Sequence, residues 1–477
     1  MAPKRLNGYG VALLLAVLAA GTAPVAAEAG GVQEPLQPDN LAADCRAIDP
    51  TTPDPAKISG DVPIAERQAI EATARARYLR GDLGGALDAL NQLAEPRVRC
   101  LNVDGLVRTD RRVIIDYLGT RSGEVFTAEA LARAGRRLED LSFVSSPSLR
   151  FDPAPDGTST ITPIARERSM LPKGLGWGDV LLRAVFQQDL RVRLVSPSGH
   201  GEVWTPSVRP SPNRPRARLR FTAPAPGRLP GLLNAEALAE RQSYAYPSMG
   251  EEYRETRYRL GGGFSDWVTS WLRWEAGVAF DQIASVSRVA VEGRLNARAL
   301  DDRLALIATA GYWLGAGDGS SFGTREFVAT ARSTAVEEEP VVTTLVGVAD
   351  ASDLSPLAVW PAASPTQSRG ATLRAHPLRT EGIITGEAFG RRLFFSTTEY
   401  QHPLHTRWGT VALALFVDAA QAWRRVDGST SPFHVDVGTG VRLKAFGSSA
   451  IRTDIGYGLR DGRVRVSAGY DQAWGTR

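Results

Sequence analysis

The chain has 477 residues, long enough for two or three structural units, and its 23% charged and 43% apolar residues exclude a disordered chain. Its 56 basic and 52 acidic side chains leave a net charge of +4. That near balance argues against a nucleic-acid partner, which would call for a concentrated basic patch.

Lys4 and Arg5 precede a short apolar run, Val11 to Ala20, and Pro24-Val25-Ala26-Ala27 supplies the small residues that a signal peptidase reads. Residues 1–27 are therefore expected to be a signal peptide; the alternative, an anchoring helix, is disfavoured because the run is too short to span about 30 Å of hydrocarbon. No later run approaches the roughly 18 apolar residues of a spanning helix, so a membrane role would have to use strands. Residues 28–60 are rich in Pro, Ala, Asp and Thr and read as a linker. Cys45 and Cys100 are the two cysteines. A disulfide between them is plausible in an oxidising compartment, and two buried free thiols is the other reading.

From 61 to 95 the apolar spacing predicts a helical hairpin, with Ile70, Ala74 and Tyr78 on one arm, Gly81-Asp82 at the turn, and Ala86, Leu87, Leu90 and Leu93 on the other. From 96 to 170 the order is strand, helix, helix, strand, strand. Val98 to Val103 forms the first strand and Asp104-Gly105 its turn. Thr109 is expected to cap a helix carrying Val113, Ile114, Tyr117 and Leu118, and Thr127 a second carrying Leu131, Ala134, Leu138 and Leu141. Strands at Ser148–Asp152 and Thr158–Ile164 flank an Asp156-Gly157 turn. With Gly105 after the first strand and Gly123 between the helices, this α+β module resembles a polypeptide-transport-associated (POTRA) domain.

Beyond about Gly174 helical signals fade and long alternating segments take over, which predicts a barrel over 171–477. In Phe433–Leu443 the residues Phe433, Val435, Val437, Val441 and Leu443 oppose His434, Asp436, Gly438, Gly440 and Arg442. In Ile451–Leu459 the residues Ile451, Ile455, Tyr457 and Leu459 oppose Arg452, Asp454, Gly456 and Gly458. Upstream, Val268, Leu272, Trp274, Val278 and Phe280 oppose Arg273, Glu275 and Asp281. Such segments suit transmembrane strands, with the charged face in the lumen and the apolar face against lipid. Trp274, Tyr312, Tyr457, Tyr470 and Trp474 are candidates for interfacial aromatics. The fold expected is mainly β: an antiparallel transmembrane β-barrel of about sixteen strands, closed because an open edge finds no partner in hydrocarbon.

A Pro/Ser/Ala-rich stretch, 350–370, leads into Leu373-Arg374-Ala375-His376-Pro377. Five strand-like segments follow, near 390–403, 408–419, 433–445, 448–460 and 463–474, holding Glu399-Tyr400, Phe416-Val417-Asp418-Ala419-Ala420 and Gly438-Thr439-Gly440-Val441-Arg442. This constellation resembles the BamA/TamA family of outer-membrane assembly and transport proteins. The resemblance implies a loop folded back into the barrel, with Arg374 as its anchor and Glu399 and Asp418 as lumenal partners. Asp418 falls on the inward face, opposite Val411, Leu413, Leu415 and Val417; the face of Glu399 is ambiguous because Leu393 and Phe395 share it. Ala375, His376 and Ala420 depart from the family's glycine, aromatic and glycine at those positions, and one transport-associated domain is visible where relatives carry several.

The resemblance implies an outer-membrane location with the N-terminal domains in the periplasm. It also implies a non-enzymatic role in assembly or translocation. The partners would be extended outer-membrane or secreted polypeptides, the lipid bilayer and periplasmic accessory proteins, with no cofactor or metal. A dedicated secretion pore or passive channel, and a structural envelope barrel, are the alternatives. No Gly-x-Ser-x-Gly, His-Glu-x-x-His or phosphate loop is present. His402 and His405 flank Pro403 and read as a loop.

Overall fold

The computed structural model describes residues 62–472, with breaks at 175, 228, 317–318, 337–338, 365–369, 407–408 and 445–448. The expected signal peptide and linker, Cys45 of the candidate disulfide, and Trp474 lie outside the described residues. Cys100 is buried.

Two helices open the described part, α1 (Ile64–Leu79) and α2 (Leu83–Asn91). Gly81 makes the turn at φ +81°, and the Asp82 carboxylate caps α2 by accepting from Gly85 N at 2.9 Å. The hairpin buries Ala86 and Leu87 against the next unit, and the Tyr78 ring meets Phe151 edge-on, centroids 5.4 Å apart.

That unit follows the expected order: β1 (Arg97–Leu101), α3 (Arg111–Leu118), α4 (Ala128–Asp140), β2 (Val144–Pro153) and β3 (Thr158–Glu167). Its sheet runs β1-β3-β2, with β1 and β3 parallel and β2 and β3 antiparallel. Val98, Ile114, Tyr117, Leu138, Phe151 and Ile161 form the core beneath the two helices. Thr127 caps α4 as expected, accepting from Ala130 N at 3.0 Å. Thr109 does not cap α3. Asp110 does, accepting from Arg112 N at 2.9 Å, while the Thr109 hydroxyl donates to Glu167 at 3.0 Å. A carboxylate one residue closer to the helix takes the cap and frees the hydroxyl for β3.

The remainder is a barrel. Its wall contains β4 (Leu190–Arg191), β5 (Leu194–Val195), β6 (Val203–Arg209), β7 (Arg216–Pro224), β8 (Leu232–Tyr244), β9 (Tyr253–Trp267), β10 (Leu272–Ile283), β11 (Val286–Ala299), β12 (Leu304–Gly315), β13 (Phe322–Arg332) and β14 (Val341–Ala351). A long loop follows, carrying β15 (Ala362–Ser364), β16 (Gly370–Thr372), β17 (Arg379–Thr380) and β18 (Ile383–Ile384). The wall resumes with β19 (Arg392–Thr406), β20 (Gly409–Trp423), β21 (His434–Lys444), β22 (Ser449–Gly458) and β23 (Val464–Gln472). The last five strands fall within a few residues of their expected limits. His402, Pro403 and His405 lie inside β19, not in a loop; Pro403 pairs with Ala412 near the strand's end, where a missing donor costs least.

The sheet contains eighteen strand segments. Taking β4 and β5 as halves of one broken strand, and setting aside β17 and β18 as a hairpin of the loop, fifteen passes of the wall remain. A helix, α5 (Gly176–Gln187), precedes β4. It packs on both β23 and β4, where the ring closes. Trp177, Leu181 and Val185, four residues apart, form an exposed apolar stripe on it. Its other side is polar: the Tyr470 hydroxyl donates to Asp179 at 2.5 Å, Gln187 Nε2 donates to the Tyr470 carbonyl, and the Arg183 guanidinium lies 5.1 Å from the Tyr470 ring centroid. Tyr470 is thus fully buried under α5 and is no interfacial aromatic.

The barrel is inside out by the standard of a soluble protein. On β10, Val278 and Phe280 are 60% and 52% exposed on the outside, while Asp281, pointing inward, is 0% exposed. Leu413, Leu415 and Val417 alternate with buried Ala412, Ala414, Phe416 and Asp418 on β20. A continuous apolar exterior of this extent belongs against lipid.

The N-terminal unit docks on the turns at one end of the barrel. Arg137 on α4 grips Asp266 with two nitrogens, at 2.9 and 2.8 Å, and donates to Leu118 O at 2.7 Å. Beside it Arg136 forks onto Asp302 at 2.6 and 2.7 Å, and Trp267 Nε1 donates to Asp140 at 2.8 Å. Forked pairs fix orientation as well as distance, so the unit is held as one body with the barrel rim.

Candidate functional site: a loop clamped inside the barrel

β14 pairs directly with β19, from Val341↔Gln401 to Asp350↔Arg392. The intervening loop is therefore expelled from the wall, and it turns inward. Its apolar residues Ala363, Ala371 and Leu373 bury against Leu393, Phe395, Ala420 and Ala422. This resolves the ambiguous face of β19. Leu393 and Phe395 point into the lumen together with Glu399 because a loop, not water, covers them. β20 contributes Ala412, Ala414, Ala420 and Ala422 to the same inner face, small side chains that leave space for it.

At the loop's tip Arg374 is 2% exposed. Its Nη2 lies 2.5 Å from Glu399 Oε2, and its Nε lies 3.4 Å from Asp418 and 3.8 Å from Asp454. Its backbone N–H donates to the same Asp418 carboxylate at 3.2 Å. The guanidinium carbon sits 3.8 Å from the Phe416 ring centroid, a cation–π stack from the strand that carries Asp418. Arg442 closes the network: its Nε and Nη2 reach Glu399 Oε1 at 3.0 and 2.9 Å, and its Nη1 reaches Asp454 at 2.6 Å. Arg452 adds a contact to Asp454 at 3.2 Å. Three guanidiniums thus alternate with three carboxylates, which keeps the buried cluster electrically neutral and each charge opposed.

His376 makes a second anchor. Its Nδ1 lies 2.7 Å from Asp436 and its Nε2 lies 3.2 Å from Asp461, while Ala375 N donates to the other oxygen of Asp436 at 2.5 Å. The imidazole holds two carboxylates at the position where the resembled family has an aromatic ring. Burial alone would lower its pKa, but the hydrogen bond and charge of Asp436, with those of Asp461, raise it above the ordinary histidine value.

The strand glycines admit the tip. A Cβ at Gly456 would stand 3.0 Å from Ala375 N, and one at Gly458 would stand 2.9 Å from the His376 ring. A Cβ at Gly438 would overlap the Phe416 ring, and one at Gly440 the Asp454 carboxylate. Here glycine is required by close approach, not by turn geometry.

Leu373, Arg374, His376, Glu399, Phe416, Asp418, Gly438, Gly440 and Arg442 therefore all converge on one site. Asp436, Asp454 and Asp461 complete it and were not singled out from the sequence. Asp436 and Asp454 could have been, as inward positions of strands neighbouring the motif. Ala375 and Ala420 are both fully buried at positions where the resembled family has glycine, and a methyl group fits at each. Among the described residues no group of three or more His, Cys, Asp or Glu is placed to hold a metal ion. The arrangement fastens a loop.

With this geometry in view, comparison with known proteins gives a likeness of fold. The structure of BamA from Haemophilus ducreyi lacking POTRA domains 1–3 superposes with a TM-score of 0.50 at 13% identity, covering 79% of this chain and 84% of that one. CdiB from Acinetobacter baumannii gives a TM-score of 0.53 at 10% identity, covering 86% and 87%. CdiB from Escherichia coli gives 0.52 at 12%, covering 86% and 88%. The architecture is shared; at these identities the side chains are not. No protein-family description and no curated protein matches the sequence.

Proposed function

We propose that this chain is a non-enzymatic outer-membrane component that takes extended polypeptides at a periplasmic POTRA-like domain and inserts them into, or passes them across, the membrane through its barrel. The observation that carries this reading is an open sheet edge beside the barrel rim. In the three-stranded sheet, the outer edge of β1 is covered by residues 123–125, through Val98 N to Glu124 O at 2.8 Å and Gly123 N to Val98 O at 2.7 Å. β2 lies at the opposite edge, and among the described residues no strand pairs with its outer side, where the Phe151 carbonyl accepts from the Tyr78 hydroxyl at 3.0 Å and the rest of the edge is left to a client. An unpaired edge offers main-chain donors and acceptors to any extended chain, independent of its sequence, and so suits a receiver of many unfolded clients. The forked arginine pairs of α4 hold that edge at the barrel end. The lodged loop occupies the lumen, which favours traffic controlled by the loop and seam over a permanently open channel.

Photoreactive amino acids placed at Ser148 and Arg150 on β2 test the reading in intact cells, with the exposed Arg75 of α1 as reference. The expected outcome is crosslinks to unassembled outer-membrane or secreted polypeptides at 148 and 150 and none at 75. Absence of polypeptide adducts at β2, or equal capture at Arg75, would refute it.

A further inference from the structure

The lumen away from the loop clamp carries an unbalanced positive wall. A cavity of about 730 Å³ is bounded by α5, the first strands and the loop, and nine arginines line it against five carboxylates. The excess is concentrated where β6 turns into β7. Arg209 and Arg216 are directly opposite each other in the ladder, and Arg214 stands in the turn between them. Like charges facing across an antiparallel pair repel, and here Arg216 shares the buried Asp189 with Arg191. Its carboxylate lies 2.8 Å from Arg216 and 3.1 Å from Arg191. Arg214 reaches only the neutral Gln188, at 3.1 Å. Glu240, opposite Arg216 in the next ladder, lies 4.0 Å from Arg257. Arg209 forms no ion pair among the described residues, and the Nε atoms of Arg209, Arg214 and Arg216 are buried without an acceptor. The recess lies at the end of the barrel far from the N-terminal unit, under the β17–β18 hairpin. That hairpin is tied down by Asn213 to Glu381 O and Gln242 to Gly382 O, both at 2.9 Å.

Buried guanidinium donors without acceptors are costly unless an acceptor arrives. Asp189 already supplies one carboxylate, engaged through Oδ2, and its Oδ1 is buried without a donor, out of reach of the three Nε atoms. Guanidiniums converging from two strands and a turn instead match a compact anion with several charged oxygens on a tetrahedral centre, the geometry for which arginine forks are suited. We infer that the Arg209–Arg214–Arg216 recess is a binding site for a phosphate-type anion, either a soluble phosphate ester or the phosphorylated head group of a lipid. Binding there neutralises the opposed arginines and braces the loop hairpin above them.

The test is calorimetric titration of the full-length protein in a zwitterionic detergent at low salt, with tripolyphosphate as probe. Wild type is expected to bind one equivalent saturably, and R209Q/R214Q to bind at least about tenfold more weakly. R209K/R214K is expected to recover part of the affinity, because charge returns without the fork. R75Q/R112Q, exposed arginines of the N-terminal helices, removes the same net charge and is expected to bind as wild type. Heat-modifiable gel mobility verifies that each barrel is folded; should R209Q/R214Q not fold, R209K/R214K against wild type decides. A parallel titration with phosphorylated glycolipid micelles and their dephosphorylated counterpart separates the sources: preference for the phosphorylated micelle over tripolyphosphate identifies a lipid head group, and the reverse a soluble ester. No saturable binding by wild type, or equal weakening in R75Q/R112Q, would overturn the inference.

Discussion

Phe416 lies against the guanidinium of Arg374, ring centroid to Cζ 3.8 Å, two residues before the Asp418 whose carboxylate stands 3.4 Å from Nε and accepts from the backbone N–H of the same arginine. Residues two apart on a strand share a face. A single stretch of β20 therefore supplies both the aromatic platform and one of the charges, and the tip of a loop from elsewhere in the chain is located in three dimensions by it.

Removing that arginine leaves Glu399 and Asp418 buried with less compensation. Arg374→Ala is expected to destabilise the folded barrel by roughly 3–5 kcal/mol, the usual cost of breaking a buried pair. Arg374→Lys should lose less, keeping charge but not the fork. Urea titration followed by heat-modifiable gel mobility measures both. A midpoint unchanged in Arg374→Ala would contradict the anchor role.

Space is as important as charge. Gly456→Val places a branched side chain where Cβ alone would be 3.0 Å from Ala375 N. The outer wall of β22 is untouched, so the barrel should still form while the tip is pushed out. Protease added to intact cells should then cleave within residues 352–391 faster than in wild type, with boiled and unboiled mobilities of the barrel still distinct.

The docking of the N-terminal unit rests on two adjacent arginines. Arg137 is the more buried, and Arg137→Ala should cost about 3 kcal/mol of docking free energy, with Asp266→Ala giving little further loss in the double variant. Spin labels on α4 and on the β11–β12 turn would report the change as a broadened distance distribution. Additive effects of the two substitutions would mean the pair is not coupled.

Glu167 gives the N-terminal unit a pH dependence. Burial would raise its pKa, but the backbone N–H groups of Arg108 and Val107, with the side chains of Arg108 and Thr109, donate to it and hold it below the ordinary glutamate value. A lowered folded-state pKa contributes stability that is complete above the unfolded-state value and is lost as pH falls through the folded one. Amide protection at Val107 and Arg108, corrected for intrinsic exchange, should therefore be constant near neutrality and decline below the ordinary carboxylate range. In Glu167→Gln it should be lower at neutral pH and flat across that window.

Much of this was legible because a transmembrane strand is a strict period-two object. Once Val435, Val437, Val441 and Leu443 were seen to alternate with Asp436, Gly438, Gly440 and Arg442, one face had to be lipid and the other lumen. What alternation cannot state is which inward charges meet. That depends on the register between strands and on the path of the loop, so Asp454 was visible as an inward residue but not as the partner of Arg442. Glu399 was obscured for the same reason, since Leu393 and Phe395 are apolar on an inward face only because the loop covers them. The helix α5 escaped because its twelve residues carry no alternation and no cap strong enough to mark it, and its Trp177, Leu181 and Val185 stripe acquires meaning only beside lipid. Thr109 reads as a cap because two potential caps are adjacent, and only the fold shows which one β3 recruits.

The helical segment that packs where β23 meets β4 has a mechanical consequence. Neighbouring strands can be parted only by unzipping a ladder, with every main-chain group on both sides bereft at once in a medium that offers no substitute. A helix brings its own main-chain pairing wherever it goes. α5 is fastened beside the join of β23 and β4 by side-chain contacts, among them Asp179 to Tyr470 and Gln187 to the Tyr470 carbonyl. Releasing those contacts frees α5 from the closing strands with its own main-chain pairing intact.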